Sequence, residues 1–193
     1  MRIVAGRHRG RQLEAPTGRD VRPTSDRTRQ SLFNILSHGD WMGDGSDVLE
    51  GADVLDAFCG TGALALEALS HGAARAAFLD RARSSLDIAR RNAEMLGEGA
   101  NCRFILGDAA KPPAAPFAAR LAFLDPPYGQ NLSPPALTGL SRAGWLAPGA
   151  LVIVEVGADD AFTTPEGFTA LDARDYSQAR IHFLRYHTSG MKS

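Results

Sequence analysis

From Asp53 onward, short apolar runs alternate with amphipathic stretches, and the alternation sets the expected architecture. Val54–Phe58 reads as a strand, Gly62–Ser70 as a helix and Ala76–Asp80 as a second strand. Ser84–Leu96 reads as a helix with Leu86, Ala89 and Ala93 on one side. Cys102–Leu106, Leu121–Asp125 and Leu151–Val156 follow as strands, and Leu121–Leu124 is continuously apolar, as a strand covered on both faces would be. This order predicts an open, mostly parallel sheet with helices on both sides. Phe168–Arg174 and Ala179–Tyr186, joined by a polar turn, predict an antiparallel hairpin at its edge.

The region before Asp53 differs. Ile3-Val4-Ala5 and Gln12-Leu13 flank a Gly6–Gly10 turn region, which suits a small hairpin. Pro23 through Asp26 offers a helix start, and Leu32, Phe33, Ile35 and Leu36 supply an apolar face, with Arg27 and Arg29 placed mostly off it. The division is therefore a basic extension over 1–38, a linker over 39–52 rich in Gly, Asp and Ser, and a main domain over 53–193.

Charge adds one thing to this picture. Residues 1–30 carry eight arginines against three acids, a net of +5, which leaves −6 for the rest of a chain whose formal charge is −1. A basic arm on an acidic body points to a polyanionic partner at one end. The two cysteines, Cys59 and Cys102, make no disulfide framework, and the five histidines lack metal-site spacing, so no metal is expected. No apolar run reaches the length of a membrane span, and the arginine-rich start lacks the apolar core of a signal peptide; a cytoplasmic protein is expected.

The candidate chemistry sits at strand ends. Asp56-Ala57-Phe58-Cys59-Gly60-Thr61-Gly62 carries a strand through a glycine-rich turn into a helix, where backbone can approach a ligand closely. The dinucleotide fingerprint wants a third glycine where Ala65 stands, and Asp56 lies where a pyrophosphate would be repelled. A carboxylate there suits a cationic ligand such as S-adenosylmethionine. Asp80, at the next strand tip, can accept from ribose hydroxyls, and Asp108, after the third strand, from an adenine amino group.

Asp125-Pro126-Pro127-Tyr128 decides the reaction class. An exocyclic base amine is a poor nucleophile because its lone pair is delocalised into the ring. Acceptors on its N–H bonds, here the Asp125 carboxylate and the Pro126 carbonyl, can polarise it and expose the lone pair. The two prolines stiffen the turn and bring no competing donor, and Tyr128 can stack on an extruded base. An adenine-N6 methyltransferase acting on DNA or RNA would use the same turn. A nucleic-acid-binding protein without catalysis and an NAD-dependent dehydrogenase are more distant alternatives.

Together these residues resemble the class I methyltransferases with a Rossmann-like α/β fold, and more narrowly the bacterial 16S ribosomal RNA (guanine-N2)-methyltransferase family. The resemblance spans nearly the whole chain. It rests on Arg2-Ile3-Val4-Ala5-Gly6, Arg9-Gly10-Arg11 and Leu13; on Arg22-Pro23-Thr24, Asp26-Arg27 and Arg29; on Leu32-Phe33-Asn34 and Leu36; and on Asp56–Gly62, Glu67-Ala68, Asn92 and Asp125–Tyr128. It implies a guanine in 16S rRNA as substrate, presented within an assembling small subunit, and S-adenosylmethionine as cofactor. By the same resemblance, Asp56, Phe58, Gly60, Gly62, Asp80 and Asp108 hold the cofactor, and Asp125, Pro126, Pro127 and Tyr128 form the catalytic turn. Arg7, Arg9, Arg11, Arg22, Arg27 and Arg29 then contact RNA. Asp80 departs from the glutamate more usual in such proteins, which shortens the reach to the ribose, and the 39–52 stretch looks long.

Overall fold

The computed structural model describes residues 1–15 and 25–188. Seven strands form one sheet: β1 (Asp53–Ala57), β2 (Arg75–Asp80), β3 (Cys102–Leu106), β4 (Ala119–Leu124), β5 (Leu146–Gly157), β6 (Phe168–Tyr176) and β7 (Ala179–Tyr186). Their order is β3-β2-β1-β4-β5-β7-β6; the first five run parallel, and β7 pairs antiparallel with both β5 and β6. The mostly parallel sheet with a closing hairpin is therefore as expected, with strand ends within two residues of those expected except at β5, which starts at Leu146 rather than Leu151. The chain leaves β1 toward β2 on one side and returns to β4 on the other. The β1/β4 boundary is thus a topological switch point, and its carboxyl end opens a crevice for a ligand.

Four helices cover the sheet: α1 (Asp26–His38), α2 (Ala63–Ser70), α3 (Arg83–Met95) and α4 (Ser133–Arg142). Side chains alternate across the sheet, so Val54, Phe78, Phe123 and Phe183 meet α1, α2 and α3, whereas Leu55, Leu124, Val152 and Leu184 lie in a second core with Leu137 and Leu140 of α4. α1 begins where Ser25 accepts the Thr28 N–H on its hydroxyl at 3.0 Å. No helix among the described residues is long and apolar enough to cross a membrane.

No element is expected between Asp125 and Leu151, where α4 stands; Pro134 and Pro135 fall in its first turn, where a helix needs no N–H from them. One expectation is corrected here. Arg29 is not on the outer face of α1. It is 1% exposed, and its guanidinium donates to the Arg2 carbonyl and to Asp26, both at 2.6 Å, tying α1 to the amino-terminal arm.

The 39–52 stretch is packed rather than suspended. Trp41 stacks on Phe183 with centroids 4.7 Å apart, and Val48, Leu49 and Ala52 are buried in the same core as α1 and α2. The arm is a tight turn closed by one bridge between Arg2 and Gln12, with a short 3-10 turn at Gly6–His8. Buried Glu67 of α2 accepts the N–H groups of Val4 and Ala5. Ser70 bonds His8 N–H and the Ala5 carbonyl. Asn92 of α3 takes the Glu14 N–H at 2.7 Å and donates to the Glu14 and Thr61 carbonyls. Each of these bonds satisfies polar groups that burial would otherwise leave unpaired.

Candidate active site

The turn after β1 is built from unusual backbone. Phe58 (φ +62°), Gly60 (φ +51°) and Gly62 (φ +77°) all sit in the left-handed region, which folds the chain sharply onto α2. The two glycines serve different ends. A Cβ on Gly62 would lie 2.8 Å from the Phe78 ring, so Gly62 lets the turn pack on β2; a Cβ on Gly60 would meet open space. Gly60 faces the crevice, where a ligand can approach its backbone.

Asp56 and Asp80 hold this turn from either side. Asp56, buried at the end of β1, accepts the Ala65 N–H of α2 at 3.1 Å. Ala65 is itself fully buried, and its backbone is committed to that carboxylate. Asp80 accepts the Gly60 N–H at 3.0 Å and the Ala82 N–H at 2.8 Å, one on each oxygen, leaving further lone pairs for a hydroxyl. Asp108 is exposed beyond β3 and accepts the Ala110 N–H at 2.9 Å in a local turn.

The electrostatics of these acids bear on what they can hold. Burial lifts the Asp56 carboxyl well above the usual range; the Ala65 N–H opposes this, and the charges of Asp125 and Asp80 lift it further. The charges of Asp125 and Asp80 stand against ionisation of Asp56, and a cation beside them would relieve that repulsion. The residues present therefore fit a positively charged ligand with hydroxyl groups, and S-adenosylmethionine is such a ligand.

Asp125 follows β4 and is half-buried, Pro126 is buried, and Pro127 and Tyr128 are exposed, Tyr128 by 46%. The expected catalytic residues thus stand beside the Asp56 turn, because β1 and β4 are neighbours in register (Asp56 with Phe123, Ala57 with Leu124). Glu155, in β5, was missed as a site residue. It is 6% exposed and accepts a hydrogen bond from the Tyr128 hydroxyl, which burial and the adjoining Glu155 carboxylate push far above the usual tyrosine range. In sequence Glu155 is a lone acid within the apolar run Leu151–Val156; its place near the carboxyl end of β5, in line with Asp56, Asp80 and Asp125, is the available signal.

A small pocket beside this turn is lined by Pro127, Tyr128, Leu132 and Phe162, and at Pro134 it meets a groove of about 630 Å³ bordered by Lys111 and Arg142 of α4. The groove does not include Asp125, so the strand ends, rather than the larger volume, mark the chemistry.

The basic residues part company. Arg9 and Arg27 are exposed. Arg7 pairs with Glu98 at 2.7 Å and Arg11 donates to the Met95 carbonyl at 2.9 Å, so both also dock the arm on the end of α3 and the segment that follows it. Although burial opposes it, hydrogen bonds from His8 and Asn101, with the charge of Arg7, hold the Glu98 carboxyl below the usual range. Arg29 is buried as described, which removes it from an RNA-facing surface. Arg22 lies outside the described residues.

The sequence pattern of the family described as "Conserved hypothetical protein 95" matches residues 1–185. A protein of Haemophilus influenzae named Ribosomal RNA small subunit methyltransferase D is 33% identical over 175 residues, covering 89% of this chain and 86% of that protein. Its Escherichia coli namesake is 35% identical over 170 residues, covering 85% and 78%. A solved structure of a methyltransferase candidate from Escherichia coli superposes with a TM-score of 0.78 at 29% identity, covering 97% of this chain and 98% of that one.

Proposed function

The chain belongs to the conserved hypothetical protein 95 family, and from that premise we propose that it methylates the exocyclic N2 amino group of a guanine in small-subunit ribosomal RNA, using S-adenosylmethionine. The observation that carries the reading is the row of carboxylates at the ends of β1, β2 and β4, closed by the Asp125–Tyr128 turn at the switch point. The names of the relatives support ribosomal RNA of the small subunit as the substrate.

S-adenosylmethionine, when bound, supplies a methyl group on a positively charged sulfur. The Gly60 backbone and the Asp80 carboxylate bind its polar atoms, Asp108 lies within the same rim, and Asp56 offsets its charge. The Asp125 carboxylate and the Pro126 carbonyl accept from the target N–H groups and turn the nitrogen lone pair out of the ring system. Tyr128 supports the base plane by stacking. The remaining work is orientation, which alone can lower a barrier by about 7–11 kcal/mol when the reacting atoms are held in line.

The test is transfer of labelled methyl to small ribosomal subunits lacking the modification, followed by nucleoside analysis. N2-methylguanosine is expected. Label in N6-methyladenosine would transfer the same turn to adenine. Asp125→Ala should abolish transfer while cofactor binding persists, and near-normal turnover in that variant would remove Asp125 from the mechanism.

A further inference from the structure

The Asp125–Tyr128 turn is anchored at its outer end as well as at β4. The Tyr128 hydroxyl donates to Glu155. One residue further, the Gly129 N–H donates to Asp160 Oδ2 at 2.9 Å, and the same oxygen accepts the Gly157 N–H at 3.1 Å. A Cβ on Gly157 would lie 2.9 Å from Asp160 and 3.3 Å from the Tyr128 Cβ, so β5 and the turn meet across a bare backbone.

Polarising the target amine uses neither Glu155 nor Asp160. Their geometry addresses a different need. Two prolines fix φ at 126 and 127, yet the side-chain torsions of Tyr128 are not fixed by them. A half-exposed ring on two free torsions would have to be ordered each time a base arrived, at a cost in side-chain entropy.

We propose that Glu155 and Asp160 are positioning residues: a two-carboxylate clasp on the end of β5 that sets the plane of Tyr128 and the outer limb of the turn before the base arrives. This rests on the reading of Tyr128 as the base platform. Glu155 acts through the tyrosine hydroxyl, and Asp160 acts through the Gly129 backbone. Burial first, then the Glu155 acceptor and its charge, and last the charges of Asp125 and Asp160, keep that hydroxyl protonated and donating.

The experiment compares Glu155→Ala, Glu155→Gln and Tyr128→Phe in steady-state methyl transfer to small ribosomal subunits. Cofactor affinity and melting temperature are measured alongside. Misplacement of a reacting group by about 1 Å lowers turnover by about a hundredfold, so Glu155→Ala should lower kcat by about ten- to a hundredfold with cofactor Kd unchanged. Glu155→Gln keeps an acceptor for the hydroxyl and should restore most of kcat. Tyr128→Phe keeps the ring and loses the tether, and should reproduce the fall even if Glu155→Ala folds poorly. Asp160→Ala should act in the same direction.

A second measurement does not depend on activity. Tyrosinate absorbance during alkaline titration should show one of the three tyrosines ionising at lower pH in Glu155→Ala than in the parent. Unchanged kcat in Glu155→Ala and Tyr128→Phe would overturn the clasp. So would a fall in kcat matched by equal losses of cofactor affinity and melting temperature, or a Glu155→Gln variant as impaired as Glu155→Ala. If the parent protein methylates no nucleic acid, the proposed function fails on its own; the titration still decides the tether, and an unshifted tyrosine would refute it.

Discussion

Asp56 is closed off from solvent at the end of β1, with one backbone donor to set against burial and two neighbouring carboxylates. A carboxyl whose pKa is raised in the fold stabilises it while protonated. That contribution is whole below the ordinary carboxylate range and is lost as pH rises through the raised value. A bound cation favours the ionised form instead. Binding of S-adenosylmethionine should therefore release a proton, and its affinity should rise with pH up to the raised Asp56 value. Calorimetry in two buffers of different ionisation enthalpy measures this directly. Asp56→Asn keeps an acceptor for the Ala65 N–H and removes the charge. The cofactor-free protein should then melt about 2–4 °C higher for each kcal/mol recovered, while cofactor affinity falls and proton release disappears.

Elements show which parts of the molecule sequence could reveal. The alternation of strands and helices was legible because the parallel strands carry short apolar cores, such as Val54-Leu55, Ala76–Leu79 and Leu121–Leu124. The Asp56–Gly62 turn was legible because left-handed backbone demands glycine at two of its positions. Gly62→Ala should be destabilising by about 1–3 kcal/mol, because its Cβ would strike the Phe78 ring; thermal denaturation checks it, and Gly60→Ala, with open space around it, should cost less from packing. Other parts were not legible, for physical reasons. α4 starts with prolines that look like a loop until they are placed in a first helical turn. Arg29 counts as polar in any periodicity, yet a carbonyl and a carboxylate make its burial tolerable. Glu155 gains its meaning only when β5 lies next to β4 and its end comes level with Tyr128. Pairing across long separations has no local signature.

At the scale of the whole molecule, a basic arm is fastened to an acidic body at the edge of the Asp56–Gly62 turn. Asn92 is the joint, bonding both Glu14 of the arm and Thr61 of the turn. Asn92→Ala should destabilise the fold by about 1–3 kcal/mol by leaving buried groups unpaired, and should expose Arg7, Arg9 and Arg11 to trypsin under native conditions. Arg9→Glu with Arg11→Glu should weaken RNA binding and flatten its dependence on salt. Read as log affinity against log salt, the slope should fall by about 0.7–0.9 for each phosphate that the arm no longer neutralises. An unchanged slope would place the RNA grip elsewhere. The same fastening has a consequence in time. Val4 bonds Glu67, 63 residues on, and His8 bonds Glu98, 90 residues on. As the chain is synthesised, the arm emerges ahead of these partners and stays undocked until α2 and the segment after α3 have followed it. Its arginines therefore stay undocked until those partners have been made, and the contacts of Arg7 and His8 with Glu98 are the last of these to become possible.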